Sequence, residues 1–296
     1  MSYLYSEILK RQSKPISPTP TAEKPRLPLL EGVRAVLFDV YGTLFTSGSG
    51  EVGTARPATC ETAFAGALAA VRISTTLSPA DGLELLVGRI EQLHMEARRK
   101  GIEHPEVDII EVWRFVVGQL AGKGTDEHET AARVDLRQLA VEFEARANPV
   151  WPMPGLTDCL RQLRSRRLAM GIISNAQFYT RELFPALLGH RAEAWGFNPA
   201  LQYYSYEYGL AKPGTEMFRM AADTLAARGI EPAEVLYIGN DMLHDVVPAV
   251  RLGFRPGLFA GDARSLRRRD GDPRVDGIEP EVVLTALSDL KVCFPR

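Results

Sequence analysis

The stretch VRAVLFDV, residues 33 to 40, constrains this chain most: it is short, apolar, rich in β-branched residues, and its end carries an aspartate. A strand with one wet face alternates apolar and polar residues, whereas a continuously apolar strand must be covered on both faces, as in the middle of a parallel sheet. The same signature returns in LAMGIIS, VLYIG and RPGLFA, with a shorter strand expected around Tyr203. Helical segments are expected near 156–166, 179–188, 214–228 and 245–252. This alternation predicts an α/β fold with a doubly wound, mostly parallel sheet. With 296 residues and 45% apolar side chains, the chain is large enough to bury such a core.

The stretch from about 58 to 147 breaks the alternation and reads as helices alone. Ser78-Pro79 offers an N-cap and a first-turn proline for a helix that Gly101 stops. EVDIIEVWRFVVGQL, 106–120, and ETAARVDLRQLAVEFEARA, 129–147, repeat apolar residues at helical spacing. A helical domain is therefore inserted after the first strand, hinged on TSGSGEVG and Asn148-Pro149 and able to close over the strand ends. The expected organisation is a Pro-rich mobile arm over 1–30, a core over 31–46 and 148–296, and a helical cap over 47–147. Five prolines among Ser, Thr and Lys argue for the arm's mobility. Tyr3, Leu4, Tyr5, Ile8 and Leu9 have rough helical spacing and offer it an alternative, docking on the body.

Thirty-five basic against thirty-seven acidic residues leave a formal charge of -2, too weak a field to argue for nucleic acid or an anionic membrane. Cys60, Cys159 and Cys293 form no CxxC pair and read as thiols of a reducing cytosol. No apolar run approaches the roughly 20 residues of a membrane span. A soluble, cytoplasmic protein is expected, acting on a small anionic metabolite, with a homodimer left open.

Ligands of open parallel sheets bind beyond the carboxyl ends of the strands. Four polar clusters follow predicted strands here: Asp39-Val-Tyr41-Gly42-Thr43, Ser174-Asn175, Lys212-Pro, and Asn240-Asp241-Met-Leu-His-Asp245. Singly, each is an ordinary turn or cap. Together and in this order they resemble the signature motifs of the haloacid dehalogenase superfamily of aspartyl-nucleophile hydrolases, with the inserted helices where that superfamily carries its cap. The resemblance implies a Rossmann-like core with Asp39 as nucleophile. It also implies that Ser174 and Lys212 hold an anionic group and that acidic residues of the last motif bind Mg²⁺.

The chemistry agrees with those residue types. A carboxylate is a competent nucleophile at neutral pH and splits one hard step into two. Its attack on an anion needs compensating cations. Lys212 supplies one, and Asp39, the Tyr41 carbonyl, Asp241 and Asp245 form a plausible Mg²⁺ ligand set. Ser174, Asn175, Thr43 and the backbone of Tyr41 and Gly42 are candidates for binding substrate oxygens.

Tyr41 stands where the family's phosphatases have a second aspartate, the general acid. A phenol with an ordinary pKa of about 10 is a poor base at neutral pH. DVYGTLF looks like the first motif of the family's 2-haloacid dehalogenases, which work without metal, while Asp241 looks like the Mg²⁺-dependent branch. The leading expectation is Mg²⁺-dependent hydrolysis of a small phosphorylated metabolite, its acid coming from elsewhere, such as the cap. The alternatives are a 2-haloacid dehalogenase-like hydrolase and a weakly active phosphate-binding or regulatory protein. His244 is a second candidate for proton transfer. Arg56 is read as solvated, His94, His104 and His128 lack ligand spacing, Trp113 and Phe115 read as cap core, and RSLRRR, 264–269, reads as a solvated loop.

Overall fold

A computed structural model describes residues 2–48, 57–120 and 133–294. Arg56 and His128, and residues 49–53 of TSGSGEVG, lie outside the described residues. The apolar strands assemble into a six-stranded, wholly parallel sheet built from β1 (Ala35–Phe38), β4 (Ala169–Ser174), β5 (Phe197–Tyr204), β6 (Val235–Gly239), β7 (Arg255–Phe259) and β8 (Val282–Leu284). Its order is β5-β4-β1-β6-β7-β8. The chain runs outward from β1 through β4 and β5, then crosses to β6 on the other side, so the order reverses at β1. Every residue of β1 is buried, because its two faces feed two different cores. Val36 and Phe38 pack on one side with the cap-facing cluster, and Leu37 packs on the other with Phe218, Leu225 and Tyr237. Such burial is worth about 1.5–3 kcal/mol per large side chain. Gly171 in β4 is required by close packing: a Cβ there would lie 2.5 Å from the Leu201 carbonyl oxygen.

The cap is helical where described: α2 (Pro57–Ala70), α3 (Pro79–Arg99), α4 (Ile109–Leu120) and α5 (Leu136–Ala147). Ser78 caps α3 as expected, its hydroxyl accepting the Asp81 N–H at 3.2 Å, and Gly101 follows in a left-handed conformation at φ 91°. The cap's centre is aromatic. Fully buried Trp113 stacks on Phe64 at 5.6 Å, and Phe143 meets Trp113 edge-on at 5.4 Å. Phe115 is only partly buried, and the Arg89 guanidinium lies over its ring.

The root of the cap is structured in its described parts. Strand β2 (Phe45–Ser47) pairs antiparallel with β3 (Val150–Pro152), and Ser47 Oγ donates to Asn148 Oδ1 at 2.7 Å. A second seam joins cap to core beside the site. The Glu106 N–H donates to the Gly209 carbonyl and the Ala211 N–H to the His104 carbonyl, while Ser205 Oγ donates to the Glu106 carboxylate at 2.7 Å. The cap is thus docked over the strand ends.

The expected mobile arm is corrected by the structure. Residues Ser2–Gln12 form a helix, α1, with Tyr5, Ile8 and Leu9 buried and Tyr3 largely exposed. Tyr5 meets the Phe178 ring edge-on, Ser6 Oγ donates to the core's Glu182 at 2.7 Å, and Arg11 pairs with Glu142 of cap helix α5 at 2.8 Å. One helix therefore contacts both cap and core. Residues 13–30 hold neither helix nor named strand, but they are tied down because their hydrogen-bonding groups find partners on the body. The Thr19 N–H donates to Asp262, the Thr19 carbonyl accepts from the Ala263 N–H, and Arg26 bridges Val283 of β8. Composition missed this because proline content reports on the strap and not on the surface it lies against.

Since Leu9 is only 2% exposed, Leu9→Ala should destabilise the protein by about 2–5 kcal/mol in urea unfolding; a change near zero would restore the mobile arm.

Candidate active site

The strand order sets the site. β1 lies between β4 and β6, so the residues just beyond their carboxyl ends converge at the switch point. Asp39 leaves β1 and Asp245 follows β6, and Lys212 reaches between them from the segment after β5. The Lys212 ammonium donates to Asp39 Oδ1 at 2.8 Å and to Asp245 Oδ1 at 2.5 Å, all three side chains being under 10% exposed. Burial opposes the ammonium charge, but the two carboxylates outweigh it and raise the lysine's pKa above its ordinary value. Burial raises the Asp39 carboxyl, Lys212 opposes, and the negative charge of Asp245 adds to the rise. Tyr237 completes the cluster, its hydroxyl 3.0 Å from Asp245 Oδ1 and 2.9 Å from the Ile173 carbonyl oxygen.

The other expected site residues divide into those that meet this cluster and those that hold it in place. Ser174 is fully buried at the end of β4, and its hydroxyl works against the burial that raises the Asp39 carboxyl. Asn175, expected to bind substrate, instead clamps Lys212: its Oδ1 accepts the Lys212 N–H at 2.7 Å and its Nδ2 donates to the Lys212 carbonyl at 3.1 Å. With both ends of the amide engaged on the backbone, Asn175 is a positioning residue. Thr43 likewise donates to Asn240 Oδ1 at 3.2 Å and is fully buried. Gly42 sits at φ 80°, and a Cβ there would strike Ser265 at 2.6 Å, so this turn has no room for a side chain.

Tyr41 follows the nucleophile with its hydroxyl 2.9 Å from Thr180 Oγ1. Burial, then the charge of Glu144, push this phenol far above its ordinary range. Glu144, on cap helix α5, was missed by sequence reasoning. Burial raises its carboxyl against hydrogen bonds from Asn148 and Tyr179, and the Asn148 Nδ2 donor lies 3.1 Å away. A glutamate on an amphipathic helix carries no signal of the surface it faces, so nothing in the sequence singled it out.

Asp241 departs from its expected role. Its Oδ1 accepts the Leu243 and His244 N–H groups at 2.8 and 3.2 Å, as an N-cap does. Both oxygens also take a two-point grip from Arg269: Nε to Oδ1 at 3.1 Å and Nη2 to Oδ2 at 2.5 Å. His244 Nδ1 lies 3.2 Å from Oδ2. Burial would raise this carboxyl, but the hydrogen bonds and charges of His244 and Arg269 prevail and hold it well below the usual range. Asp245 is equally committed, its Oδ2 accepting the Asp241 N–H at 3.0 Å. The four expected Mg²⁺ ligands therefore do not form an open set. The oxygens of Asp241 and Asp245 are taken by groups of the chain itself and Asp39 Oδ1 by Lys212, and among the described residues no cluster of three or more His, Cys, Asp or Glu side chains is arranged to hold a metal ion.

The loop that delivers Arg269 is not the solvated run expected of RSLRRR. The Met242 N–H donates to the Arg267 carbonyl and the Arg267 N–H to the Asn240 carbonyl, each at 2.9 Å, and Asn240 Nδ2 donates to the Ser265 carbonyl. Arg269 itself adopts φ 59°, a left-handed conformation that costs a residue with a Cβ roughly 1–2 kcal/mol. Three arginines in a row look alike in sequence; in the structure Arg269 pairs with Asp241, Arg268 lies against Glu23 of the strap, and Arg267 bonds carbonyls of its own loop.

Comparison with known proteins agrees with this architecture. Residues 33–253 match the family model of the haloacid dehalogenase-like hydrolases, and the chain belongs to that family of hydrolytic enzymes. No curated protein matches the sequence. Among solved structures, a 2-haloacid dehalogenase from Pseudomonas syringae pv. Tomato DC3000 is similar at 19% identity and TM-score 0.59, covering 87% of this chain and 96% of its own. A defluorinating L-2-haloacid dehalogenase is similar at 16% identity and TM-score 0.52, over 90% of this chain and 98% of its own. A haloacid dehalogenase-superfamily phosphatase from Thermococcus onnurineus is similar at 17% identity and TM-score 0.49, over 88% and 96%. At these identities the likeness concerns the fold. Among the described residues, no helix is long and apolar enough to cross a membrane.

Because Asp245 raises the Asp39 carboxyl, Asp245→Asn should lower the Asp39 pKa in a carboxyl NMR titration. An unchanged or higher value would show that the two carboxylates do not share the Lys212 charge.

Proposed function

We propose that the chain hydrolyses a small 2-substituted carboxylic acid by attack of Asp39 on carbon, in the manner of a 2-haloacid dehalogenase. The observation that carries this reading is Tyr41. The position two residues after the nucleophile, which would hold a leaving-group acid, holds a partly buried phenol whose hydroxyl is engaged with Thr180. Halide leaves without a proton, so a site lacking an acid there suits it and suits an alkoxide poorly.

In this reading one Asp39 oxygen forms a bond to the substituted carbon as the carbon–halogen bond breaks, and halide departs with the bonding pair. Water then adds to Cγ of the resulting ester and the acyl–oxygen bond breaks. The 2-hydroxy acid leaves with the former Asp39 oxygen and one proton is released. Lys212 orients Asp39 and offsets the charge gathered on it, and Asn175 holds Lys212 in place through its backbone. Among the described residues, Lys212 is the buried cation that a small anionic substrate would meet.

A second reading remains the phosphohydrolase expected from sequence, and Glu144 favours it. Its carboxyl is raised by burial and electrostatically coupled to Tyr41, which makes it a candidate acid supplied by the cap. That reading, in its Mg²⁺-dependent form, requires Asp241 to release Arg269.

Purified protein should release halide from 2-chloropropionate in the presence of a chelator, and Asp39→Asn should reduce the rate by at least about a thousandfold. Absence of halide release, together with Mg²⁺-dependent phosphate release from an aryl phosphate that Glu144→Gln diminishes, would move the conclusion to the second reading.

A further inference from the structure

The residues around Asp241 carry a conclusion that is independent of which bond Asp39 opens. The fourth motif presents a buried carboxylate at the end of β6, where the family resemblance places a divalent ion. Here that carboxylate is met by a guanidinium. Both Asp241 oxygens are engaged by Arg269, at 3.1 and 2.5 Å, a planar fork matched to a planar carboxylate. The arginine is 27% exposed and the aspartate 8%, so the pair closes the edge of the site instead of lying free on the surface.

The loop bearing Arg269 is built into place from two directions. Toward the site, Arg267 exchanges backbone hydrogen bonds with Asn240 and Met242, and Ser265 packs against the Gly42 turn. Away from the site, the N-terminal strap holds it. Arg264 Nη2 donates to the Ser17 carbonyl at 2.7 Å, Ala263 N–H donates to the Thr19 carbonyl, and Arg268 lies 3.5 Å from Glu23. Both the strap and Arg269 fall outside residues 33–253, the stretch shared with the family.

We propose that Arg269 is the resident cation of the fourth motif. Its guanidinium takes the place on Asp241 that a divalent ion would take, so the site carries its own balancing charge and excludes metal while the arginine is paired. With Leu243 N–H, His244 N–H and Arg269 Nε on Oδ1, and Arg269 Nη2 and His244 Nδ1 at Oδ2, the acceptor directions of Asp241 are taken, and the tethered guanidinium competes with an ion without any loss of translational freedom. Removing the arginine should therefore uncover a metal site.

Mn²⁺ alone is the probe, followed by the loss of the free aqua-ion signal in electron paramagnetic resonance as full-length protein is added. Wild type should leave the signal intact at millimolar Mn²⁺. Arg269→Ala should bind Mn²⁺ at least tenfold more tightly, Arg269→Lys should bind less than Arg269→Ala, and the added Asp241→Asn change should abolish the gain. Binding to wild type as tight as to Arg269→Ala would overturn the proposal, and so would failure of both to bind, since the arginine would then not stand where an ion fits. Circular dichroism reports whether Arg269→Ala folds. If it does not, Arg269→Gln takes its place with the same expected gain and the same overturning outcomes. Halide release plays no part in these outcomes, so the substrate reading and this one fail separately.

Discussion

The buried ammonium of Lys212 is the contact on which the site depends. Two carboxylates, Asp39 and Asp245, lie at the ends of adjacent strands with little solvent to stabilise them. Without a cation between them one would have to take a proton, and an unpaired buried charge costs about 3–5 kcal/mol. Lysine answers this with a point charge whose donors reach both carboxylates, and Asn175 fixes its backbone from the next strand end. The sheet order makes the convergence obligatory: β1 must lie between β4 and β6 for the three charges to meet.

Around that centre the structure closes itself in layers. The cap is joined to the core by a strand pair at its root, by the Glu106 seam and by the N-terminal helix, which reaches both bodies. The strap that follows continues to the loop behind Asp241. Residues 2–30 are therefore not an appendage: they contact cap helix α5, the segment carrying Phe178 and Thr180, and the loop carrying Arg269. Each contact is small, and together they connect the walls of one site.

Much of the core was legible in the sequence because a central parallel strand leaves an unambiguous apolar run, and because Ser78-Pro79 and Gly101 punctuate a helix by local chemistry. Asp39, Lys212 and Asp245 were legible because each follows such a strand. The N-terminal helix was underread: Tyr5, Ile8 and Leu9 carry its pattern, but the prolines behind them dominated the composition. Arg269 and Glu144 were illegible for a different reason. An arginine in a basic run and a glutamate on a cap helix acquire meaning only from the groups they face.

The sequence by itself determined the family, the doubly wound sheet, the helical insertion and the identity of the nucleophile candidate, since strand burial and motif order are properties of neighbours along the chain. Tertiary structure alone decided what each acidic residue is free to do. Asp241 reads as a metal ligand in sequence, yet Arg269 comes to it from 28 residues away. Ionic partners are chosen by distance in space, and the energy of a charge depends on its partners and its burial, neither of which a linear pattern contains.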